Sequence, residues 1–240
     1  MSIRNLETCF SPALYEKDAH SNSIVVIIDV LRASSAICTA FENGVLEIIP
    51  VAEVSEAKEY KSRGYLVAAE RDGFVLDFAD FGNSPFNFTR DKVEGKTIVY
   101  STTNGTGIIN IASSAYCTVI GSFLNLSALS KWLESQDRDV TLFCAGWKNR
   151  FNLEDTICAG ALAERLLDSG LFTTMCDSTL AAFDLWQIAK RDLSGYIDKV
   201  AQRTRLRDKG LDDCIEFCIT ADFTDKIPVI KNGILVDNVS

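Results

Sequence analysis

Short apolar runs alternate along the chain with longer amphipathic stretches, and this alternation predicts strands separated by helices. The clearest run is Ile24-Val25-Val26-Ile27-Ile28, β-branched throughout and without a polar break, the pattern of a strand buried on both faces. Asp29 follows it, and a helix is expected over 33–43, stopped by Asn43-Gly44. Further strands are expected at 45–51, 65–69, 97–100, 117–120 and 139–144, with helices near 53–63, 107–113 and 126–136 and a long one ending near 168. Residues 1–23 carry no clear period and are expected to be irregular. Residues 74–94 read as a long loop, with a constrained turn at Asp80-Phe81-Gly82-Asn83-Ser84-Pro85. After Gly170 the pattern becomes helical, over about 174–190, 193–206 and 211–220, and 227–236 reads as a hairpin turning at Asn232-Gly233. The expected architecture is a three-layer α/β/α fold on a largely parallel sheet, with a mixed sheet left open, extra C-terminal helices and a terminal hairpin. Residues 1–240 are expected to form one domain, with a helical C-terminal lobe from about 171 as the open variant.

Composition adds limits. The chain is 47% hydrophobic and 24% charged, an ordinary globular balance. A formal net charge of −9 without a basic run argues against nucleic acid as a partner, and an anionic substrate then requires basic residues that converge locally. No apolar stretch reaches the ~18 residues of a membrane span, and Met1 to Phe10 lacks a signal-peptide pattern, so a cytoplasmic protein is expected. Eight cysteines without a Cys-x-x-Cys pair, beside one histidine, argue against a zinc site and read as reduced core residues. His20, in a polar stretch, is expected at the surface.

Charged and hydroxyl residues appear abruptly where apolar runs end. Asp29, Arg32 and Ser34 follow the first strand, and Glu70 and Arg71 follow the third. Thr102, Thr103, Asn104, Gly105 and Thr106 lie between a strand and a helix, where glycines and helix amides can cradle an anion. Glu154 and Asp155 open the long helix, where the helix dipole alone is a sufficient reason for acids. Asn83, Ser84 and Gly146 sit on loops. In open α/β sheets such strand ends share a ligand-binding edge. Carboxylates converging on an anion require a cation between them, and hard oxygen donors suit Mg²⁺. Asp29 has an equally simple alternative role, capping the helix that follows. A thiol route is also open, because Cys144 and Arg150 have the Cys-x5-Arg spacing, although the loop lacks the glycines that cradle phosphate. A third alternative is a non-catalytic binding protein for a sulfonated or phosphorylated acid.

Taken in order, Asp29-Val30-Leu31-Arg32-Ala33-Ser34-Ser35, Glu70-Arg71-Asp72-Gly73, Gly82-Asn83-Ser84-Pro85, Thr102-Thr103-Asn104-Gly105-Thr106, Cys144-Ala145-Gly146 and Glu154-Asp155 with Cys158-Ala159-Gly160 resemble the motifs of the 2-phosphosulfolactate phosphatase (ComB) family. They cover about residues 24–170, and Asp212-Asp213 and Ile227-Pro228-Val229 are similar to the family's tail. One departure is that the family often carries Thr near Ser34-Ser35. The resemblance implies Mg²⁺-dependent hydrolysis of (R)-2-phospho-3-sulfolactate to 3-sulfolactate and phosphate, a step of coenzyme M biosynthesis in archaea. Members in other organisms can act on a related phosphate ester. Asp29, Glu70 and one of Glu154 or Asp155 are the expected Mg²⁺ ligands, and Asp29 is also a candidate nucleophile. Arg32 and Arg71 are expected on the phosphate or sulfonate. Ser34, Asn83, Ser84, Gly146 and the 102–106 stretch are expected around the substrate. A homodimer is left open.

Overall fold

The computed structural model describes residues 3–16, 20–102 and 105–238, without the side chains of residues 105, 106 and 110. Eleven strands form one mixed sheet: β1 (Arg4–Cys9), β2 (Ile24–Ile28), β3 (Glu47–Pro50), β4 (Leu66–Arg71), β5 (Phe74–Val75), β6 (Thr97–Ser101), β7 (Cys117–Gly121), β8 (Val140–Cys144), β9 (Phe172–Thr173), β10 (Pro228–Lys231) and β11 (Ile234–Asp237). Their order is β5-β4-β6-β3-β11-β10-β7-β2-β8-β1-β9. Two blocks, β4-β6-β3 and β7-β2-β8-β1-β9, are parallel inside. The β10–β11 hairpin lies between them and pairs antiparallel with both, Val229 opposite Val119 and Leu235 opposite Ile48.

Ten α-helices are described: α1 (Ala33–Glu42), α2 (Val54–Ser62), α3 (Arg90–Val93), α4 (Gly105–Ile111), α5 (Leu126–Ser135), α6 (Leu153–Asp168), α7 (Asp177–Ala189), α8 (Leu193–Ile197), α9 (Ala201–Arg207) and α10 (Ile215–Cys218). The strand β2 explains the layering. Its residues alternate between two cores, because successive side chains point to opposite faces. Ile24, Val26 and Ile28 pack with Leu129, Ile157 and Leu162 of α5 and α6. Val25 and Ile27 pack with Ala36, Ile37 and Phe41 of α1 and Ile108 of α4. Every β2 residue is buried, as its uninterrupted apolar run requires. A smaller core under α2 joins Ala57 to Val67, Ala69 and Val99.

Three expectations are corrected. Residues 1–23 are not all irregular, since Arg4–Cys9 forms β1, parallel to β8. Arg4 hides the pattern: its guanidinium lies buried over the Phe172 ring at 4.1 Å and bonds the Leu133 and Glu134 carbonyls. His20 is buried rather than at the surface, its ring centroid 4.9 Å from that of Tyr15 at a 33° tilt and its Nδ1 3.0 Å from Thr141 Oγ1. The C-terminal helices are shorter than their patterns suggest. The stretch 193–206 divides into α8 and α9, and 211–220 holds only the one-turn α10. These helices nonetheless share the sheet's core through Ile197, Leu206 and Ile215. All eight cysteines are free thiols. Among the described residues no helix is long and apolar enough to cross a membrane.

Candidate active site

The end of β2 leads into a tight turn. Asp29 carries two roles there. Its Oδ1 accepts the Ala33 N–H at 3.3 Å, capping α1, while its own N–H donates to Ser34 Oγ at 3.2 Å. The same carboxylate lines a cleft. Burial pushes its pKa up to about 6. The Ala33 N–H opposes the rise, the charge of Glu70 adds to it and Arg32 opposes it. Arg32 is buried beside it and donates to the carbonyls of Gly73 and Leu211, both at 3.3 Å.

Glu70 reaches the cleft from β4. Asp72 and Gly73 both have positive φ, 53° and 92°, and form the two-residue turn that pairs Arg71 with Phe74. Gly73 N–H donates to Glu70 Oε2 at 2.6 Å, so the turn fixes the buried carboxylate. Arg71 points elsewhere, as alternation along a strand dictates. Its guanidinium bonds the Glu70 and Ala52 carbonyls and Ser101 Oγ, and it does not line the cleft.

The third contribution comes from the β8–α6 connection. Asp155 is fully buried and accepts the Val30 N–H at 2.8 Å and the Gly146 N–H at 3.2 Å, tying together the loops after β2 and β8. Glu154, 1% exposed, is held through Oε1 by Asn152 Nδ2 at 3.0 Å, while its Oε2 has no hydrogen-bond partner. Burial pushes Glu154 up to about 7, with Asp29 adding to the rise and Arg205 opposing it. A buried carboxylate oxygen left unpaired is costly and points to an absent partner. Among the described residues no three His, Cys, Asp or Glu side chains form a preformed metal cage. The donor set fits a Mg²⁺ ion held by one or two carboxylates with water and substrate oxygens completing the shell. Cys144 is fully buried, and burial together with Asp155 raises its thiol well above the usual range, which opposes a thiolate nucleophile.

Of the residues expected from sequence, Asp29, Arg32, Glu70, Asn83 and Thr102 line one cleft. Asn83 is buried and its Oδ1 has no partner. Ser34, Gly146 and Asp155 support the cleft's walls, and Ser84 is half-buried in the loop beside Asn83, with its Oγ out of contact with solvent. Thr103 and Asn104 lie outside the described residues, and Gly105 and Thr106 begin α4. The structure adds Trp147, Gln202, Arg205 and Lys209 to the lining. Trp147 opens a tight turn in which Lys148 and Asn149 take positive φ, and Lys148 pairs with the cleft-lining Asp72 at 3.3 Å. The signal for α9 was present in sequence as Arg203, Arg205, Arg207 and Lys209, four bases in an acidic chain.

A family model described as 2-phosphosulpholactate phosphatase matches residues 9–233. Relatives each named "Probable 2-phosphosulfolactate phosphatase" include one from Caldanaerobacter subterraneus, 36% identical over 88% of this chain and 89% of the relative. One from Thermotoga maritima is 38% identical over 88% and 90%, and one from Clostridium perfringens is 32% identical over 95% and 94%. With this match spanning both sheet blocks and every wall of the cleft, the chain belongs to the 2-phosphosulfolactate phosphatase family.

Proposed function

We propose that the protein is a Mg²⁺-dependent phosphatase hydrolysing (R)-2-phospho-3-sulfolactate to (R)-3-sulfolactate and phosphate. The observation that carries this reading is the meeting of Asp29, Glu70 and Arg32 in one cleft within a chain of this family. Arg32 is buried, its direction is fixed by two carbonyls, and a guanidinium matches phosphate oxygens in paired hydrogen bonds. Asp29, Glu70 and the unpaired oxygen of Glu154 are the donors that would hold Mg²⁺. When bound, the ion supplies Lewis acidity and neutralises the negative phosphoryl group. The two backbone amides on Asp155 keep the turn that presents Asp29 from moving. The burial of Cys144 favours this reading over a thiol phosphatase.

The test is phosphate release from racemic 2-phospho-3-sulfolactate, with Mg²⁺ and with EDTA, for the wild type and Asp29→Asn. The expected outcome is turnover that needs Mg²⁺ and falls at least ~100-fold in the variant, a loss typical of a group acting at the reacting centre. Turnover that survives both EDTA and the substitution would overturn the reading.

A further inference from the structure

The bases of α9 divide into two faces. Residues four apart on a helix lie on one side, so Arg203 and Arg207 share one face and Arg205 and Lys209 another, continued by the turn after the helix. The first face is neutralised. Arg203 pairs with Asp198 and Glu216, both at 2.9 Å, and Arg207 with Asp198 and Asp212 at 3.8 and 3.6 Å. The second face lines the same cleft as Asp29 and Glu70. Among the described residues neither Arg205 nor Lys209 forms an ion pair with a carboxylate.

Both cations are nonetheless held in place. The Arg205 guanidinium lies 4.8 Å from the Trp147 ring centroid, and its Nε donates to Gln202 Oε1 at 2.7 Å. Stacking and one hydrogen bond at Nε orient the plane, and the two terminal nitrogens are the ones available to a ligand. Lys209 packs 5.3 Å from the Phe74 ring and donates to the Asp72 carbonyl. Two half-buried cations outside any close ion pair among the described residues, Arg205 feeling only the more distant charge of Glu154, are unusual in a chain of net charge −9 and suit an anionic ligand.

We infer that Arg205 and Lys209 bind the substrate's sulfonate, so that α9 sets the preference for a phosphate ester carrying a second strong-acid group. This rests on the proposed function and extends it to specificity. The phosphoryl end is drawn to Asp29, Glu70 and Arg32, where charge can be neutralised by a metal. A sulfonate is a weak base, a poor competitor for the metal, and is matched by N–H donors spread over its three oxygens. Among the described residues Arg71, the other basic residue expected on the substrate, is spent on the Glu70 and Ala52 carbonyls and Ser101 Oγ.

The experiment compares kcat/KM for 2-phospho-3-sulfolactate and 2-phospholactate, which lacks only the sulfonate, in the wild type, Arg205→Gln and Lys209→Gln. Thermal melts establish that each variant is folded. Each substitution is expected to lower kcat/KM for the sulfonated ester about 10–100-fold, the size of one or two charge-assisted hydrogen bonds. The loss should appear mainly in KM, with less than about a threefold change for 2-phospholactate. Guanidinium ion added to Arg205→Gln should restore part of the loss. Equal losses on both esters, or no loss on either, would overturn the inference. If the wild type hydrolyses neither ester, the proposed function fails, and titration calorimetry with 3-sulfolactate and lactate decides the inference separately. Selective binding of sulfolactate that disappears in Arg205→Gln supports it, and binding that is absent in the wild type or unchanged in the variant overturns it.

Discussion

Glu154 and Asp155 are neighbours in sequence with opposite surroundings. Both are buried in the first turn of α6, where the helix dipole favours acids. Asp155 has both oxygens engaged by backbone amides of other loops, so it builds the site rather than offering a free ligand atom. Glu154 keeps one oxygen unpaired. Sequence made both visible as candidates, yet the choice between them depends on which loop amides come within reach, and those amides belong to residues 30 and 146. The raised pKa of Glu154 gives a test. Its carboxyl moves from the ordinary 4.5 to about 7 on folding. An acid whose folded pKa is raised contributes stability that is present below the unfolded value and lost as pH rises through the folded one. In EDTA the protein should therefore lose stability between about pH 4.5 and 7, and Glu154→Gln should remove that part of the loss. Urea unfolding at pH 8 is expected to find the variant more stable by about 1–3 kcal/mol. A variant less stable than the wild type at pH 8 without metal would mean that the unpaired oxygen has a partner in solution.

Elements were legible where one period dominates. The apolar β2, the helix after it and the hairpin at Asn232-Gly233 follow their patterns closely. β1 was hidden because a buried arginine stands where an apolar residue would mark the strand, and β5 because two exposed residues carry no pattern. The Asp72-Gly73 pair is the available signal for the β4–β5 turn, masked by the charged Glu70 and Arg71 that precede it. The packing of α6 on α7 shows how close two helices can be drawn. A Cβ on Gly160 would stand 2.0 Å from the Ala182 carbonyl oxygen, so only glycine allows this approach. Beside it Glu164 accepts from Trp186 Nε1 at 2.7 Å and Gln187 Nε2 at 2.8 Å and pairs with Lys190. Partial burial alone would raise the Glu164 pKa, but the Lys190, Gln187 and Trp186 donors outweigh it and lower it to about 2. A depressed acid contributes stability that is present above its unfolded pKa and lost as pH falls through the folded one. Glu164→Gln should cost about 1–2 kcal/mol at pH 7. That difference should shrink as pH falls from about 4.5 towards 2, measured by urea unfolding across the range. A constant difference over that interval would assign the effect to packing instead.

At the scale of the whole molecule, the alternating pattern identified an α/β/α fold but could not order the strands. Parallel neighbours such as β1 and β8 are separated by more than a hundred residues, and no local signal records that pairing. The hairpin is the main consequence. Read from sequence it is a terminal appendage, but it occupies the middle of the sheet and, among the described residues, is the one strand-paired link between β3 and β7. Its Val229 and Leu235 are buried, and Asp237 ties it back by accepting the Ile227 N–H and pairing with Lys226 at 2.8 Å. Removing it would expose unpaired edges on β3 and β7 and open both cores, since Val229 belongs to one and Leu235 to the other. Asp29 and Glu70 meet in one cleft from opposite sides of this hairpin, the first following β2 in one block and the second on β4 in the other. A chain ending at Asp225 is therefore expected to lack a cooperative thermal transition by circular dichroism and to lose activity completely. Substitutions confined to the turn, such as Asn232→Ala where φ is 53°, should cost only about 1 kcal/mol. A truncated chain that melted cooperatively within a few degrees of the intact protein would mean that the two blocks hold together through α1 and the helical layers alone.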